Sequence, residues 1–158
     1  MVVGLRRIIS MNKRFFPFLL LLLIASACKP SFTPSDIRPN DRCARCKQPI
    51  AEKNMASEIL FAGGDTMKFN DLGCLVVFHF GIDTTTECAV FVQDYHNGGW
   101  LNEDEAYVLL HSNIHTPMNS GTVAFSSRSG AQKAKETAGG EVQSLAEILR
   151  KESIWLPQ

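Results

Sequence analysis

Four thiols, at Cys43, Cys46, Cys74 and Cys88, stand out in this sequence, together with thioethers at Met55, Met67 and Met118 and imidazoles at His79, His96, His111 and His115. Thiolates and thioethers are soft donors, and soft donors select Cu(I) over hard ions such as Mg²⁺ or Ca²⁺. Cys43 and Cys46 are separated by two residues. That spacing lets both sulfurs turn toward one ion, or toward each other as a reactive pair. Carboxylates are scattered singly, with no Gly-rich phosphate loop and no Gly-x-Ser-x-Gly elbow, so the residues do not point to an enzyme. His115-Thr116-Pro117-Met118 is a second candidate. Pro117 fixes its own φ and biases Thr116 to an extended form, so the Met118 thioether leaves the backbone in a set direction, either as a ligand or as filler between lobes. Met55 and His115 are further possible ligands. Cys74 falls in a predicted first helical turn, where the dipole lowers a thiol pKa, but its neighbours Leu72, Leu75 and Val76 favour a small buried thiol. Cys88 reads as buried in a strand.

These donors have to be carried by a small protein. Of 158 residues, 45% are hydrophobic and 20% charged, and 16 basic residues balance 16 acidic ones, so no strong basic field invites nucleic acid. The first 27 residues hold Arg6, Arg7, Lys13 and Arg14 and no acid, then an apolar run from Phe15 to Ala27 that includes Leu19–Leu23. That is a secretory signal, too short for a permanent span of about 20 residues. Met11 is an alternative start. Ala25-Ser26-Ala27-Cys28 resembles a bacterial lipobox, with Ala25 where Leu is usual, which makes Cys28 the expected lipidation site and membrane anchor. Residues 28–42, with Pro30, Pro34 and Pro39, read as a linker, and cleavage before Cys28 leaves 12 basic against 16 acidic residues.

Beyond the linker the patterns predict a β-hairpin (Met55–Ala62 and Thr66–Phe69, turning at Gly63-Gly64-Asp65) and a helix from an Asn70 or Asp71 cap to Gly81. A strand follows over Glu87–Asp94. The second half repeats the plan: strands at Ala106–Leu110 and Thr122–Phe125, a helix capped by Ser126 or Ser127 and stopped by Gly139-Gly140, a short strand from Val142 and a last helix near Leu145–Leu149. Phe69-Asn70-Asp71 and Phe125-Ser126-Ser127 hold equivalent places. The expected fold class is therefore α+β, two related small ββαβ lobes packed together, at 43–95 and 96–158.

In order, Cys43-Ala44-Arg45-Cys46 with Pro49-Ile50, Lys68-Phe69-Asn70-Asp71-Leu72-Gly73-Cys74, Val92-Gln93-Asp94-Tyr95, Gly99-Trp100-Leu101-Asn102, Thr116-Pro117-Met118 with Gly121 and Ala124-Phe125, and Ala138-Gly139-Gly140 resemble the NosL family. These are copper-binding lipoproteins associated with nitrous oxide reductase in denitrification, and the likeness runs from about Cys43 to Leu149. The resemblance implies a lipid-anchored protein facing the periplasm that holds Cu(I) and passes it to a reductase or its assembly machinery. The family motif is Cys-x-x-Cys-Gly-Met-Pro, and here Lys47-Gln48 stand at the Gly-Met positions. The expected metal ligands are accordingly Cys43, Cys46 and Met118. The competing reading is a Cys-x-x-Cys thiol–disulfide exchange module, with Thr116-Pro117 as the loop facing the dithiol. Against it, Cys43 follows Pro39-Asn40-Asp41-Arg42 where a buried strand is needed. A closed zinc site would want a second close cysteine pair, which Cys74 and Cys88 do not make.

Overall fold

A computed structural model describes residues 31–82 and 86–151. The predicted signal sequence and Cys28 lie outside the described residues. Strands β1 (Ser57–Phe61) and β2 (Thr66–Phe69) form the expected hairpin, in a register that sets Leu60 opposite Thr66. The tight turn uses Gly64 at φ 95°, a conformation glycine adopts without a Cβ clash. Helix α1 (Leu72–His79) starts at Asp71, whose carboxylate accepts from the Gly73 N–H. Strand β3 (Cys88–Gln93) returns along the other side of β1, and β4 (Trp100–Asn102) adds to β3, giving the antiparallel order β2-β1-β3-β4.

The second sheet, β5 (Tyr107–Leu110), β6 (Val123–Phe125) and β7 (Glu141–Ser144), has the order β6-β5-β7. Helix α2 (Arg128–Ala138) connects β6 to β7, starting at a Ser127 cap and ending at Gly139 with φ 69°. Helix α3 (Leu145–Arg150) closes the described chain. In both sheets the first strand is central, with the second strand and the strand after the helix antiparallel on its flanks. The fold is α+β, and the repeat read from the sequence is a repeat of topology.

Two boundaries differ from the sequence reading. The division between 95 and 96 falls inside the β3–β4 hairpin, because Trp100–Asn102 completes the first sheet. Across that division the packing is also shared. Val108, Leu110, Ala124, Leu145 and Ile148 lie in one buried cluster with Ile59, Leu75, Val76 and Val90. Sheets of three or four short strands bury too little apolar surface alone, and each covers the other. The linker is also shorter than 28–42. Ile37 is buried with Ile50 and Ala56, and the Ser35 N–H and hydroxyl donate to the Glu58 carboxylate at 2.7 and 3.2 Å. Lys68 Nζ, opposite Glu58 on β2, donates to the Asp36 carbonyl and Asp41 Oδ2. A proline-rich stretch reads as a tether, but a buried carboxylate and one isoleucine fasten its second half to the sheet.

Asp94 ties the two sheets. Its backbone bridges to Ala124, the Tyr95 N–H donates to the Ala124 carbonyl, and its buried carboxylate accepts from the N–H groups of His96, Asn97 and Ser126. Burial raises its pKa, but the bonds from Ser126, Asn97 and His96 outweigh that and bring it down to about 2. A carboxylate with a depressed folded pKa stabilises above its unfolded value and loses that contribution as pH falls through its folded value. Asp94→Ala strands three N–H donors and is expected to cost about 3 kcal/mol in urea unfolding. The wild type's advantage over the variant should hold at neutral pH and shrink between pH 4 and about 2.

Candidate metal centre

The Cys43–Cys46 pair sits in a tight loop closed by backbone bonds. Arg42 bridges Pro49, the Cys43 N–H donates to the Gln48 carbonyl at 2.9 Å, and the Lys47 N–H donates to the Cys43 carbonyl at 3.0 Å. The Ala44 N–H donates to the Lys68 carbonyl at 2.7 Å, which fixes the loop against the end of β2. The same strand end runs through Phe69 and buried Asn70 into the Asp71 cap, and Cys74 lies in the first turn of α1. The three sulfurs of Cys43, Cys46 and Cys74 consequently lie within 4.8 Å of one another. Cys43 and Cys74 are fully buried, at 0% and 1% exposure, while Cys46 is half-buried. All four described cysteines are unbridged.

Sulfurs no more than 4.8 Å apart can all lie within about 2.8 Å of one central ion. A thiolate–metal bond is about 2.3 Å, so closing on an ion needs inward movement of no more than about 0.5 Å per sulfur. The electrostatics favour thiolate. The Cys74 thiol donates to Cys43, and the backbone N–H groups of Cys46, Asn70 and Arg45 also face that sulfur; together they hold the Cys43 pKa below the ordinary thiol value despite burial. The hydrogen bond to Cys43, together with burial, pushes Cys74 up. The pair thus shares one proton. Arg45 Nη1 lies 3.9 Å from the Cys74 sulfur, and the Cys46 thiol faces Asn70 Oδ1 at 3.5 Å.

Met118 is placed by the same cap residue that starts α1. Asp71 Oδ2 accepts from the Met118 N–H at 3.0 Å, and Oδ1 accepts from the Ser120 hydroxyl and the Gly73 N–H, each at 2.7 Å. Buried Thr116 braces the turn by accepting from the Ser120 N–H. A Cβ at Gly73 would stand 2.8 Å from the Ser120 Cβ, so glycine there permits the contact. The Met118 side chain is 40% exposed, the one exposed large apolar side chain among the described residues, so it does not fill a core. Its backbone is fixed beside the helix that carries Cys74. His115 is exposed and outside the close group of donors. Met55 ends the 3-10 turn Lys53–Met55 and is half-buried. Cys88 stands apart at the start of β3, where burial and Glu103 push its thiol up.

Cys74 is the member of the cluster that sequence reasoning left as a buried thiol. It is buried, but against two other sulfurs. Its place three residues after the Asp71 cap was readable, whereas the approach of the Cys43 loop to that turn depends on the Ala44–Lys68 bond, which has no sequence signature.

The NosL family profile matches residues 34–153. The chain belongs to the NosL family. The fold of this NosL-family protein is similar to the crystal structure of the copper chaperone NosL from Shewanella denitrificans, at a TM-score of 0.65 and 17% identity, covering 75% of this chain and 96% of that one. The solution structure of apo-NosL from Achromobacter cycloclastes matches at a TM-score of 0.45 and 22% identity, over 58% of this chain and 82% of that one. No curated protein matches.

Two outcomes follow from the loop. Lys47 has φ 65°, a left-handed conformation that costs a residue with a Cβ about 1 kcal/mol, partly offset by its Nζ donating to the Ala44 carbonyl. Lys47→Gly should therefore raise the urea midpoint by up to about 1 kcal/mol of stability. The absorbance of thiolate near 240 nm in the reduced protein should reveal one group ionising below the ordinary thiol range, lost in Cys43→Ala and shifted upward in Cys74→Ala. Between that depressed pKa and the ordinary one, the unfolded chain binds the proton that the native state has released, so stability rises with pH there.

Proposed function

We propose that this protein is a lipid-anchored Cu(I) chaperone of the cell envelope that delivers copper to a periplasmic reductase, with nitrous oxide reductase as the recipient. The observation that carries the reading is the convergence of three thiol sulfurs, two of them buried, within 4.8 Å. An all-sulfur group with no carboxylate or imidazole in it matches a soft monovalent ion. Family membership and the fold shared with a copper chaperone point the same way. The signal-like start and the lipobox-like Cys28 support an anchored protein outside the inner membrane.

In this reading Cys43, Cys46 and Cys74 supply thiolates, and Met118 offers a thioether from the second lobe. Cys74, itself among the residues that carry the family likeness, brings a third sulfur to a site at which Lys47-Gln48 supply none. Binding displaces the proton held between Cys43 and Cys74 and that of Cys46. On handover the same two protons return, one to the Cys43–Cys74 pair and one to Cys46, and no bond in a substrate is made or broken. Cys46, the half-buried ligand, is the first that an incoming donor can replace.

The thiol–disulfide reading has less support, because the Cys43–Cys46 pair occupies a loop closed by the Arg42–Pro49 bridge and not a helix start. Competition of the reduced, metal-free protein against a Cu(I) chelator tests the proposal. Cys43→Ser and Cys74→Ser should each weaken Cu(I) binding more than about 100-fold, beyond what outer-shell losses cost. Met118→Leu should produce a smaller loss and His96→Ala none. Equal affinity across the four variants, or catalytic reduction of insulin by the wild type, defeats the assignment.

A further inference from the structure

A cleft of about 410 Å³ opens beside the thiol loop, lined among others by Arg38, Asp41, Arg42, Ala44 and Lys68. Arg45 and Lys47 stand exposed on the loop itself. Five cations therefore surround the thiol loop, while the chain from Phe69 to Ser127 contains seven acidic residues and no lysine or arginine. Five of the eleven described lysines and arginines stand about the sulfur cluster, with Asp41 among them, on a protein whose sequence from Cys28 onward is net acidic.

Little of this charge is neutralised internally. Among the described residues the single ion pair is Lys68–Asp41, at 2.7 Å. Arg42 and Lys47 donate to backbone carbonyls, of Lys47 and Ala44 respectively, and Arg45 reaches the Cys74 sulfur. These bonds hold cationic heads in place without cancelling them. Arg38 and Arg42 in the cleft wall, with Arg45 and Lys47 on the loop, stand outside any ion pair, and such a concave group of cations attracts anionic groups.

We infer that the cleft and the thiol loop together form a docking face for an acidic protein surface, the one surrounding the metal entrance of the recipient. This deepens the proposed function and rests on it for the identity of the cargo. An acidic protein fits better than a membrane. The face is concave, and the one exposed large apolar side chain among the described residues, Met118, is not among those lining the cleft. Complementary charge at a handover face sets the on-rate and the orientation, while the sulfurs set the affinity for the ion.

The test uses two fluorescent peptides, one with six glutamates and one with six lysines, and the reduced, metal-free protein. Simple net charge predicts that the protein prefers the lysine peptide. The docking face predicts the reverse: the glutamate peptide should bind about tenfold more tightly at low salt, with the preference lost at about 0.5 M salt. Arg38→Glu with Arg42→Glu should abolish the preference. Arg38→Glu alone, which keeps the Arg42–Lys47 bond of the thiol loop, should reduce it while Cu(I) affinity stays within about twofold of wild type. No preference for the glutamate peptide, or a preference that survives the double reversal, overturns the inference. So does an Arg38→Glu variant that loses Cu(I) affinity, because that arginine would then serve the thiolates. Binding to vesicles of anionic phospholipid with none to the glutamate peptide assigns the face to a membrane and overturns it too. A wild type that binds the glutamate peptide but takes up no Cu(I) leaves the docking face standing and removes the cargo.

Discussion

The structure depends on one buried carboxylate. Asp71 is fully excluded from solvent, and a charge there is tolerable only when its oxygens are hydrogen-bonded. The bonds come from both halves of the molecule: the Gly73 N–H in the first turn of α1, and the Met118 N–H and Ser120 hydroxyl from the turn before β6. Satisfying one residue thus fixes where the helix starts and where the far turn rests. Gly73 contributes by lacking a Cβ that would collide with Ser120. Cys74 and Met118 owe their places to the same two oxygen atoms, so a change in the packing of the lobes would move both donors together.

Around the sulfurs, order is held by backbone bonds as well as by packing in the core. The loop of Cys43 is closed by its own hydrogen bonds and clamped by Lys68, and the N–H groups of Arg45, Cys46 and Asn70 turn toward the Cys43 sulfur. Such an arrangement stabilises negative charge before any ion arrives, which lowers the reorganisation needed on binding. The asymmetry of burial gives the cluster an inside and an outside: Cys43 and Cys74 are sealed, and solvent reaches Cys46.

Local signals made most of the fold legible. The Gly63-Gly64-Asp65 turn marked the β1–β2 hairpin, alternation marked β3, caps at Asn70 or Asp71 and Ser126 or Ser127 marked the helices, and Gly139-Gly140 marked the stop. Three features were not legible, each for the same reason. Trp100–Asn102 is a three-residue strand with no alternation to detect, and it becomes a strand because the edge of β3 is available. Residues 35–42 carry tether composition, yet Glu58 and the apolar surface near Ile50 hold them. Cys74 joins the other thiols through a contact between segments remote in sequence. The Cys43–Cys46 pair was readable because both thiols lie in one loop; a third thiol brought in on a helix is a property of the fold.

The departure at Lys47-Gln48 divides into two effects of different kind. The backbone at 47 is left-handed, the conformation for which the family's glycine is suited, and Lys47 adopts it with its ammonium bonded to the Ala44 carbonyl. That substitution touches stability and leaves the loop's path intact. At Gln48 an amide stands where the family motif carries a thioether, and the side chain offers no soft donor. Its carbonyl still accepts from the Cys43 N–H, so the position keeps its structural task through the backbone alone. A site that takes its third sulfur from Cys74 differs in one physical respect from one completed by a thioether. A thioether carries no proton, whereas a thiol must lose one to bind, so protons compete for the ion's place. In the proposed reading, acid would loosen the metal here more readily than in a thioether-completed site, and the hydrogen bond between Cys43 and Cys74 is what limits that sensitivity, by keeping a single proton between two sulfurs.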